Sequence, residues 1–210
     1  MYLPHFNVLD DADEVRRLIS AVGTAELITP GAEFPLATRL PVLWDEDAGR
    51  LVFHLARANG HWRAIAPGTP ALAVVTGPEA YVSPSWYASK AEHGRVVPTW
   101  NYSAIQFTGH ATVHEDAEWL RDAVTRLTAT HEQPRDEPWA VTDAPPTYVD
   151  KQLRAIVGVE LVIADVQAKA KLSQNRDDAD AAGVVTGLRA EGGDREHLVA
   201  DAMEALRPPP

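Results

Sequence analysis

The sequence predicts an α+β fold in which an antiparallel sheet of six or more strands is interrupted by helices. Short β-like runs follow one another between residues 24 and 83. Residues 103–115 alternate between apolar and polar side chains, whereas residues 10–22 and 117–127 carry apolar side chains at helical spacing. A sheet of this size commonly closes into a barrel, because closure removes exposed edge strands.

The order of these elements follows from local signals along the chain. The first helix is predicted over residues 10–22, with an aspartate to cap its start and Gly23 after its end. The DEDAG turn at 45–49 joins two strand-like runs as a hairpin. A short helix is predicted near 147–156, and the apolar run at 157–172 predicts a strand of the core sheet. The five earlier strand-like runs are TAELIT, FPLATRLPVLW, LVFHLA, ALAVVTG and AYVS.

Composition excludes several classes of protein. The chain has 210 residues and no cysteine, which excludes disulfides, thiolate zinc sites and a cysteine nucleophile, and fits a cytoplasmic location. No apolar run approaches membrane-spanning length, so no membrane association is predicted. The net charge of −11 has the wrong sign for a general binder of nucleic-acid phosphates. DNA binding is left open only by a local basic patch formed by Lys169, Lys171 and Arg176.

The chain is predicted to hold one main domain and one appendage. Residues 1–176 contain the predicted sheet and its inserted helices. Residues 177–210 are acidic and rich in glycine and alanine, with a helix predicted around 194–206. They are therefore predicted to form a helical extension beside the main domain.

Two polar-aromatic segments suggest a cofactor site. GPEAYVSPSWYASK at 77–90 and VPTWNY at 97–102 combine hydroxyl groups with indole and phenol rings. A planar heteroaromatic cofactor needs ring faces for stacking and polar groups at its edges. The alternative is that these tryptophans belong to the core or to a dimer interface and that the hydroxyls cap turns.

A third segment, HLARANGHW at 54–62, suggests an anion site. Backbone N–H groups at the start of a helical turn near Trp62 attract anions, and neighbouring basic side chains can complete a phosphate site. Arg39 lies in an otherwise apolar strand, where a buried guanidinium requires a phosphate or a carboxylate such as Glu33 or Asp45. His54 and His61 have no recognised ligand spacing, so no metal site is predicted.

The fourth segment is KAKLSQNR at 169–176, which follows the long apolar strand. It presents Lys171, Gln174, Asn175 and Arg176 as either a solvated strand end or a polar lid over a site. The chain contains no GxSxG, P-loop or GxGxxG motif, which argues against hydrolase, kinase and Rossmann functions.

These four segments together resemble the PaiB-type FMN-binding negative transcriptional regulators over roughly residues 1–200. The resemblance implies a split β-barrel of the flavin-reductase and pyridoxamine-phosphate-oxidase type, assembled as a homodimer with FMN at its interface. It implies that Thr38 and Arg39 face the flavin, that His54 and Leu55 lie beside its ring, and that Asn59 and His61 lie near its phosphate. The full set of predicted FMN-binding residues is Thr38, Arg39, His54, Leu55, Asn59, His61, Trp62, Ser85, Trp86, Lys90, Thr99, Trp100, Lys171, Gln174 and Arg176.

Three functions are compatible with these observations. The first is an FMN-binding protein whose flavin supports redox chemistry on an unidentified small molecule. The second is a regulatory module that binds DNA or a protein partner, in which the flavin is a signal or a vestige. The third is a haem-binding split barrel, because histidines are available as ligands.

Overall fold

The structure is a computed structural model that describes residues 1–207 of the chain. Within these residues the chain forms seven strands and six α-helices. The strands are β1 (Thr24–Thr29), β2 (Leu36–Pro41), β3 (Leu43–Asp45), β4 (Arg50–Ala56), β5 (Thr69–Val82), β6 (Thr99–His114) and β7 (Ile156–Lys171). The helices are α1 (Ala12–Val22), α2 (Ser89–His93), α3 (Ala117–Glu132), α4 (Pro146–Leu153), α5 (Asp178–Glu191) and α6 (Asp194–Ala205).

The strands form one sheet in the order β2-β1-β5-β6-β7-β4-β3, so that β2 and β3 are its edge strands. The pairs β1–β2, β1–β5, β3–β4 and β4–β7 are antiparallel. β3 and β4 form the hairpin predicted at the DEDAG turn. The predicted α+β architecture, with an antiparallel sheet and helices inserted between its strands, is confirmed.

Local sequence signals explain most of the element ends. Asp11 caps α1, because its Oδ1 accepts hydrogen bonds from the N–H groups of Asp13 at 2.8 Å and Glu14 at 3.1 Å.

Two runs predicted as separate strands merge into β5, and β6 begins at Thr99, within the VPTWNY segment. No helix among residues 1–207 is long and apolar enough to cross a membrane.

The chain divides into two compact units. Unit 1 comprises Met1–Leu18, Thr76–Ile105 and the chain from Gln167 onward, whereas unit 2 comprises Ile19–Val75 and Gln106–Val166. The predicted domain boundary at residue 176 stays a prediction. The last residues of the predicted extension, 208–210, lie outside the part of the chain that the structure describes.

Each unit has its own buried apolar residues. In unit 2 the largest fully buried side chains include Phe53 and Phe107. In unit 1, Tyr87 packs with side chains of α5 and α6 such as Leu188 and Val199. The helix predicted around 194–206 is confirmed as α6, whereas α5 was not predicted.

Two glycines of α5 make room for Trp86. A Cβ atom on Gly183 would lie 2.0 Å from the Trp86 carbonyl oxygen, and one on Gly187 would lie 2.2 Å from the Trp86 ring. Trp86 therefore packs closely against α5, in contact with the core of unit 1.

Candidate functional site

Unit 1 contains a pocket of about 590 Å³, which we call the basic pocket. Its walls come from the N-terminal arm (residues 2–7), from the start of β6 (99–102), from Tyr87, and from the end of β7 with the turn that follows it (169–176). Pockets of about 300–1,000 Å³ are typical of small-molecule and cofactor sites.

Positive charge in the basic pocket is poorly neutralised by the protein. The Nζ atom of Lys171 donates a hydrogen bond to Thr99 Oγ1 at 2.6 Å and another to the Trp100 carbonyl. Lys169 is only 6% exposed, and its Nζ donates to the carbonyl of Tyr2 at 3.1 Å. All of these protein partners are neutral.

Carboxylates contribute little to the basic pocket. Among residues 1–207, neither Lys169 nor Lys171 forms an ion pair with an acidic side chain. Arg176 has one weak partner, since its Nη1 lies 3.9 Å from Asp180 Oδ2. Burial lowers the pKa of Lys171, and the charges of Lys169 and Arg176 lower it further. An anion in the pocket would therefore interact favourably with all three cations.

Flat aromatic surfaces line the same pocket. The guanidinium of Arg176 lies 4.4 Å from the ring centroid of Tyr87, and Lys169 Nζ lies 5.2 Å from that of Tyr102. Trp100 is half exposed at the rim of the pocket. The Tyr87 hydroxyl is buried and has no hydrogen-bond partner within the described residues. It is therefore available as a donor to a ligand.

Asp180 on α5 holds the segment that carries Tyr87. Its carboxylate accepts hydrogen bonds from the Ser89 N–H at 2.9 Å and from the Ser89 hydroxyl at 2.8 Å, and all of these groups are buried. Burial alone would raise the pKa of Asp180, but the two Ser89 hydrogen bonds and the charge of Arg176 lower it overall. Asp180 thus stays ionised while it links α2 to α5.

Four predicted residues of unit 1 lie outside the walls of the basic pocket. Lys90 Nζ donates to Ser85 Oγ at 3.0 Å at the surface, and Trp86 packs against α5. Gln174 stabilises the turn after β7, because its side chain bonds the Leu172 N–H at 2.7 Å and the Ala170 carbonyl at 2.5 Å.

In unit 2, three predicted residues form a hydrogen-bonded cluster around buried His61. Thr38 Oγ1 lies 2.8 Å from His61 Nδ1, and Thr29 Oγ1 lies 2.9 Å from Nε2. Asn59 accepts a hydrogen bond from the His61 N–H at 3.0 Å, and its amide donates weakly to Thr38 Oγ1 at 3.5 Å. The protein therefore already satisfies both ring nitrogens of His61.

Arg39 departs from its expected environment. The sequence predicted a buried guanidinium, but the Arg39 side chain is 60% exposed, and its Nε bonds Glu26 Oε1 at 2.8 Å. The expectation of burial was wrong because Arg39 lies on the solvent-facing side of β2 with exposed Ala37 and Pro41, whereas Leu40 on the opposite face is buried. The carboxylate partner is Glu26, rather than the expected Glu33 or Asp45.

The other predicted residues of unit 2 lie on or after β4. Leu55 is buried, and His54 is largely buried with its Nδ1 unpaired within the described residues. Trp62 Nε1 donates to the Arg57 carbonyl at 3.0 Å, and the Arg63 guanidinium lies 4.9 Å from the Trp62 ring centroid.

The structure thus separates the predicted residues into two groups. Thr99, Trp100, Lys171 and Arg176 meet in the basic pocket of unit 1. Thr38, Asn59 and His61 meet in unit 2. The prediction omitted Lys169, Tyr87, Tyr102 and the arm, although Lys169 is two residues from Lys171, and residues at that spacing share one face of a strand.

Because of two histidines of unit 2, we expect the free energy of unfolding to depend on pH. Burial lowers the pKa of His54 and of His61 from 6.5, so the folded state favours the neutral rings. As the pH falls below about 6.5, the unfolded chain binds protons first, and each histidine lowers the free energy of unfolding by up to about 1.4 kcal/mol per pH unit. Urea unfolding between pH 5 and 8 measures this slope.

Single substitutions show which histidine causes the change of the unfolding free energy with pH. We expect His61→Gln to reduce the pH dependence and the exposed control His110→Gln to leave it unchanged. An equal slope in the original chain and in both His61→Gln and His54→Gln would show that neither ring is held neutral.

No group of three histidine, aspartate or glutamate side chains within residues 1–207 is arranged to hold a metal ion.

Comparisons with known proteins agree on family and fold. The family described as "Putative FMN-binding domain" matches residues 1–165. The chain is 31% identical over 206 residues to "Protease synthase and sporulation protein PAI 2" of Bacillus subtilis, and the match covers 97% of each chain. It is also 33% identical over 143 residues to an uncharacterized protein of Emericella nidulans, which covers 63% of this chain and 57% of that one.

Two solved structures show the fold alone. The flavocytochrome Anf3 from Azotobacter vinelandii matches with a TM-score of 0.58 and 16% identity, over 85% of this chain and 76% of its own. The FAD and heme binding protein from Mycobacterium smegmatis matches with a TM-score of 0.55 and 17% identity, over 89% and 80%. The predicted α+β split-barrel fold is confirmed.

Proposed function

Because the chain belongs to the Putative FMN-binding domain family, as its resemblance to PaiB-type proteins predicted, we propose that it binds FMN in the basic pocket of unit 1. The observation that carries this proposal is the uncompensated positive charge of Lys169 and Lys171 beside aromatic surfaces. FMN has an anionic phosphate and a flat ring system, and the pocket offers a complement to each.

The phosphate would be held by Lys171, Lys169 and Arg176. Hydrogen bonds between cations and phosphate oxygens are shorter and stronger than neutral ones. In a buried pocket such bonds also offset the unfavourable desolvation of the lysines. Lys171 is already oriented by Thr99 and by the Trp100 carbonyl, so little side-chain freedom would be lost on binding.

The ring would be held by the aromatic residues of the pocket. Trp100 and Tyr102 offer faces for stacking, and the unpaired Tyr87 hydroxyl offers a hydrogen bond to a ring carbonyl or nitrogen. Bound FMN would supply redox chemistry through its own ring, so that no acid–base pair is required of the protein. An FMN-dependent oxidoreductase acting on a small molecule is the activity that such a site would support.

The predicted flavin contacts in unit 2 stay proposals carried by the family resemblance. They are Thr38, Arg39, His54, Leu55, Asn59, His61 and Trp62. In unit 2, Arg39 is paired with Glu26, and both ring nitrogens of His61 are bonded to threonines. The phosphate is therefore proposed to bind the lysines of unit 1.

A regulatory role and a cytoplasmic location are also proposed from the resemblance and, for location, from the absence of cysteine. DNA binding would have to use local positive charge, because the net charge is −11. A gel-shift titration at moderate salt tests it. A haem site would require a Soret band that appears when haem is added and that is lost when one histidine is replaced.

A homodimer is proposed as the assembly that this family resemblance implies. The aromatic segment around Trp86 gives no independent support for a dimer, because the chain itself buries Tyr87 and packs Trp86 against α5. Support comes instead from β7, in which the buried residues are interrupted at 162–166, where Val162 is 50% and Val166 39% exposed.

We therefore expect Val162→Glu to shift the protein from dimer to monomer in light scattering. Leu198→Glu serves as a matched control, because Leu198 is equally exposed but lies on α6. A monomeric mass for the original chain at micromolar concentration would contradict the dimer.

The proposed function is tested by identifying what the purified protein carries. Mass spectrometry of small molecules released from the native protein should detect FMN, or the colourless protein should acquire a flavin spectrum on titration with FMN. Failure to retain or take up any flavin would overturn the proposal.

A further inference from the structure

The N-terminal arm forms part of the wall of the basic pocket. Tyr2, Pro4, Phe6 and Asn7 line the pocket, although Tyr2 is 84% and Phe6 40% exposed to solvent. The base of the arm is fixed to β7, because Val8 pairs with Lys169 and the Leu9 N–H donates to the Ala168 carbonyl at 3.0 Å. Beyond this base, Asn7 is buried, the Met1 ammonium donates a hydrogen bond to Gln167 Oε1, and Lys169 holds the Tyr2 carbonyl.

Lys169 is the attachment that the arm and the pocket share. Its ammonium donates to the Tyr2 carbonyl at 3.1 Å and lies 5.9 Å from the Tyr2 ring centroid. Lys169 as a whole is only 6% exposed, and its ammonium has no acidic partner among residues 1–207. A buried ammonium without a counter-charge is unfavourable. The docked arm makes this desolvation worse, because it helps to exclude water from the ammonium.

We propose that the arm, residues 2–7, is a ligand-dependent wall of the basic pocket, which closes when an anionic group binds beside Lys169. The inference rests on the proposed function in that a phosphate-bearing ligand enters this pocket. Without an anion, displacement of the arm returns water to the ammonium. With an anion, the charge is compensated, and the docked arm gains stability.

The coupling is reciprocal. If a bound anion stabilises the docked arm, the docked arm increases the affinity for the anion by the same factor. The docked arm would then increase the affinity for any ligand that carries a phosphate. It would not change the affinity for a ligand of the same shape that lacks a phosphate. Lys169 is the residue through which this discrimination operates.

Hydrogen exchange of the peptide that spans residues 3–9 tests the coupling. We expect exchange to slow by about tenfold with saturating FMN and with inorganic phosphate, a factor typical of coupled sites. Riboflavin, which has no phosphate, should leave exchange unchanged. In Lys169→Gln, exchange should not respond to either anion, whereas Lys169→Arg and the exposed control Lys90→Gln should behave as the original chain.

The outcomes distinguish a failure of the inference about the arm from a failure of the proposed function. If FMN binds and the exchange of the arm is unchanged, the arm is a fixed wall and the inference is wrong, although the proposed function stands. If FMN does not bind while inorganic phosphate still slows exchange, the proposed function fails and the inference stands. If Lys169→Gln does not fold, the comparison of the three ligands on the original chain decides.

Discussion

Replacing Lys171 by glutamine is expected to weaken FMN binding while changing riboflavin binding much less. The substitution removes one charged donor that faces the pocket but keeps a polar side chain of similar length. A hydrogen bond to a charged group contributes about 1.5–3 kcal/mol, which corresponds to a loss of roughly ten- to a hundredfold in affinity. Titrations of flavin fluorescence with FMN and with riboflavin measure the two losses.

Two variants make the Lys171 result specific. Lys90→Gln removes the same charge from an exposed side chain outside the pocket and should leave FMN affinity unchanged. Arg39→Ala tests the alternative that the phosphate binds Arg39, which the sequence suggested because Arg39 lies in an apolar strand of unit 2. Equal losses of FMN and riboflavin affinity in Lys171→Gln would mean that this lysine only supports the fold.

Asp180→Ala is expected to lower the free energy of unfolding by about 2–4 kcal/mol, because it leaves two donors of Ser89 buried and unpaired. Asp180 is only 2% exposed, and both of its oxygens accept a hydrogen bond from Ser89. Urea denaturation at pH 7 measures the change. The matched control is Asp178→Ala on the same helix, which removes a fully exposed carboxylate and should change stability by less than about 0.5 kcal/mol.

The stabilisation by Asp180 should also depend on pH. Because the folded state lowers the pKa of Asp180, the stabilisation is present at neutral pH and is lost as the pH falls through its usual value of 3.8 and below. The stabilities of the original chain and of Asp180→Ala should therefore converge in acid. A difference that persists unchanged at pH 3 would show that the carboxylate charge is not involved.

Much of the fold could be predicted because periodicity and turn signals report local structure directly. The runs TAELIT and LVFHLA became β1 and β4, and the DEDAG turn joined β3 to β4. α5 was missed because its apolar residues do not form one clear stripe, and its two glycines are poor helix formers. Those glycines are present because Trp86 packs against them, a tertiary contact that no local pattern reveals.

The candidate site could be predicted only in part, for similar reasons. Residue types predicted an anionic and aromatic ligand, since lysines, tryptophan and tyrosine occur near one another in the sequence. The environment of each side chain could not be predicted. Arg39 is exposed because it lies on the solvent-facing side of β2, and His61 is satisfied by threonines from two other segments of the chain. Both environments depend on how the strands assemble into the sheet, which local sequence patterns do not reveal.

The central claim is that the phosphate of FMN binds the lysines of the basic pocket, and a crystal structure of the protein with FMN tests it most directly. We predict that a phosphate oxygen lies within hydrogen-bonding distance, about 3 Å, of the Nζ atom of Lys171 or Lys169. A phosphate bound instead by Arg39 and Asn59, with the lysines of unit 1 free of ligand, would contradict the claim.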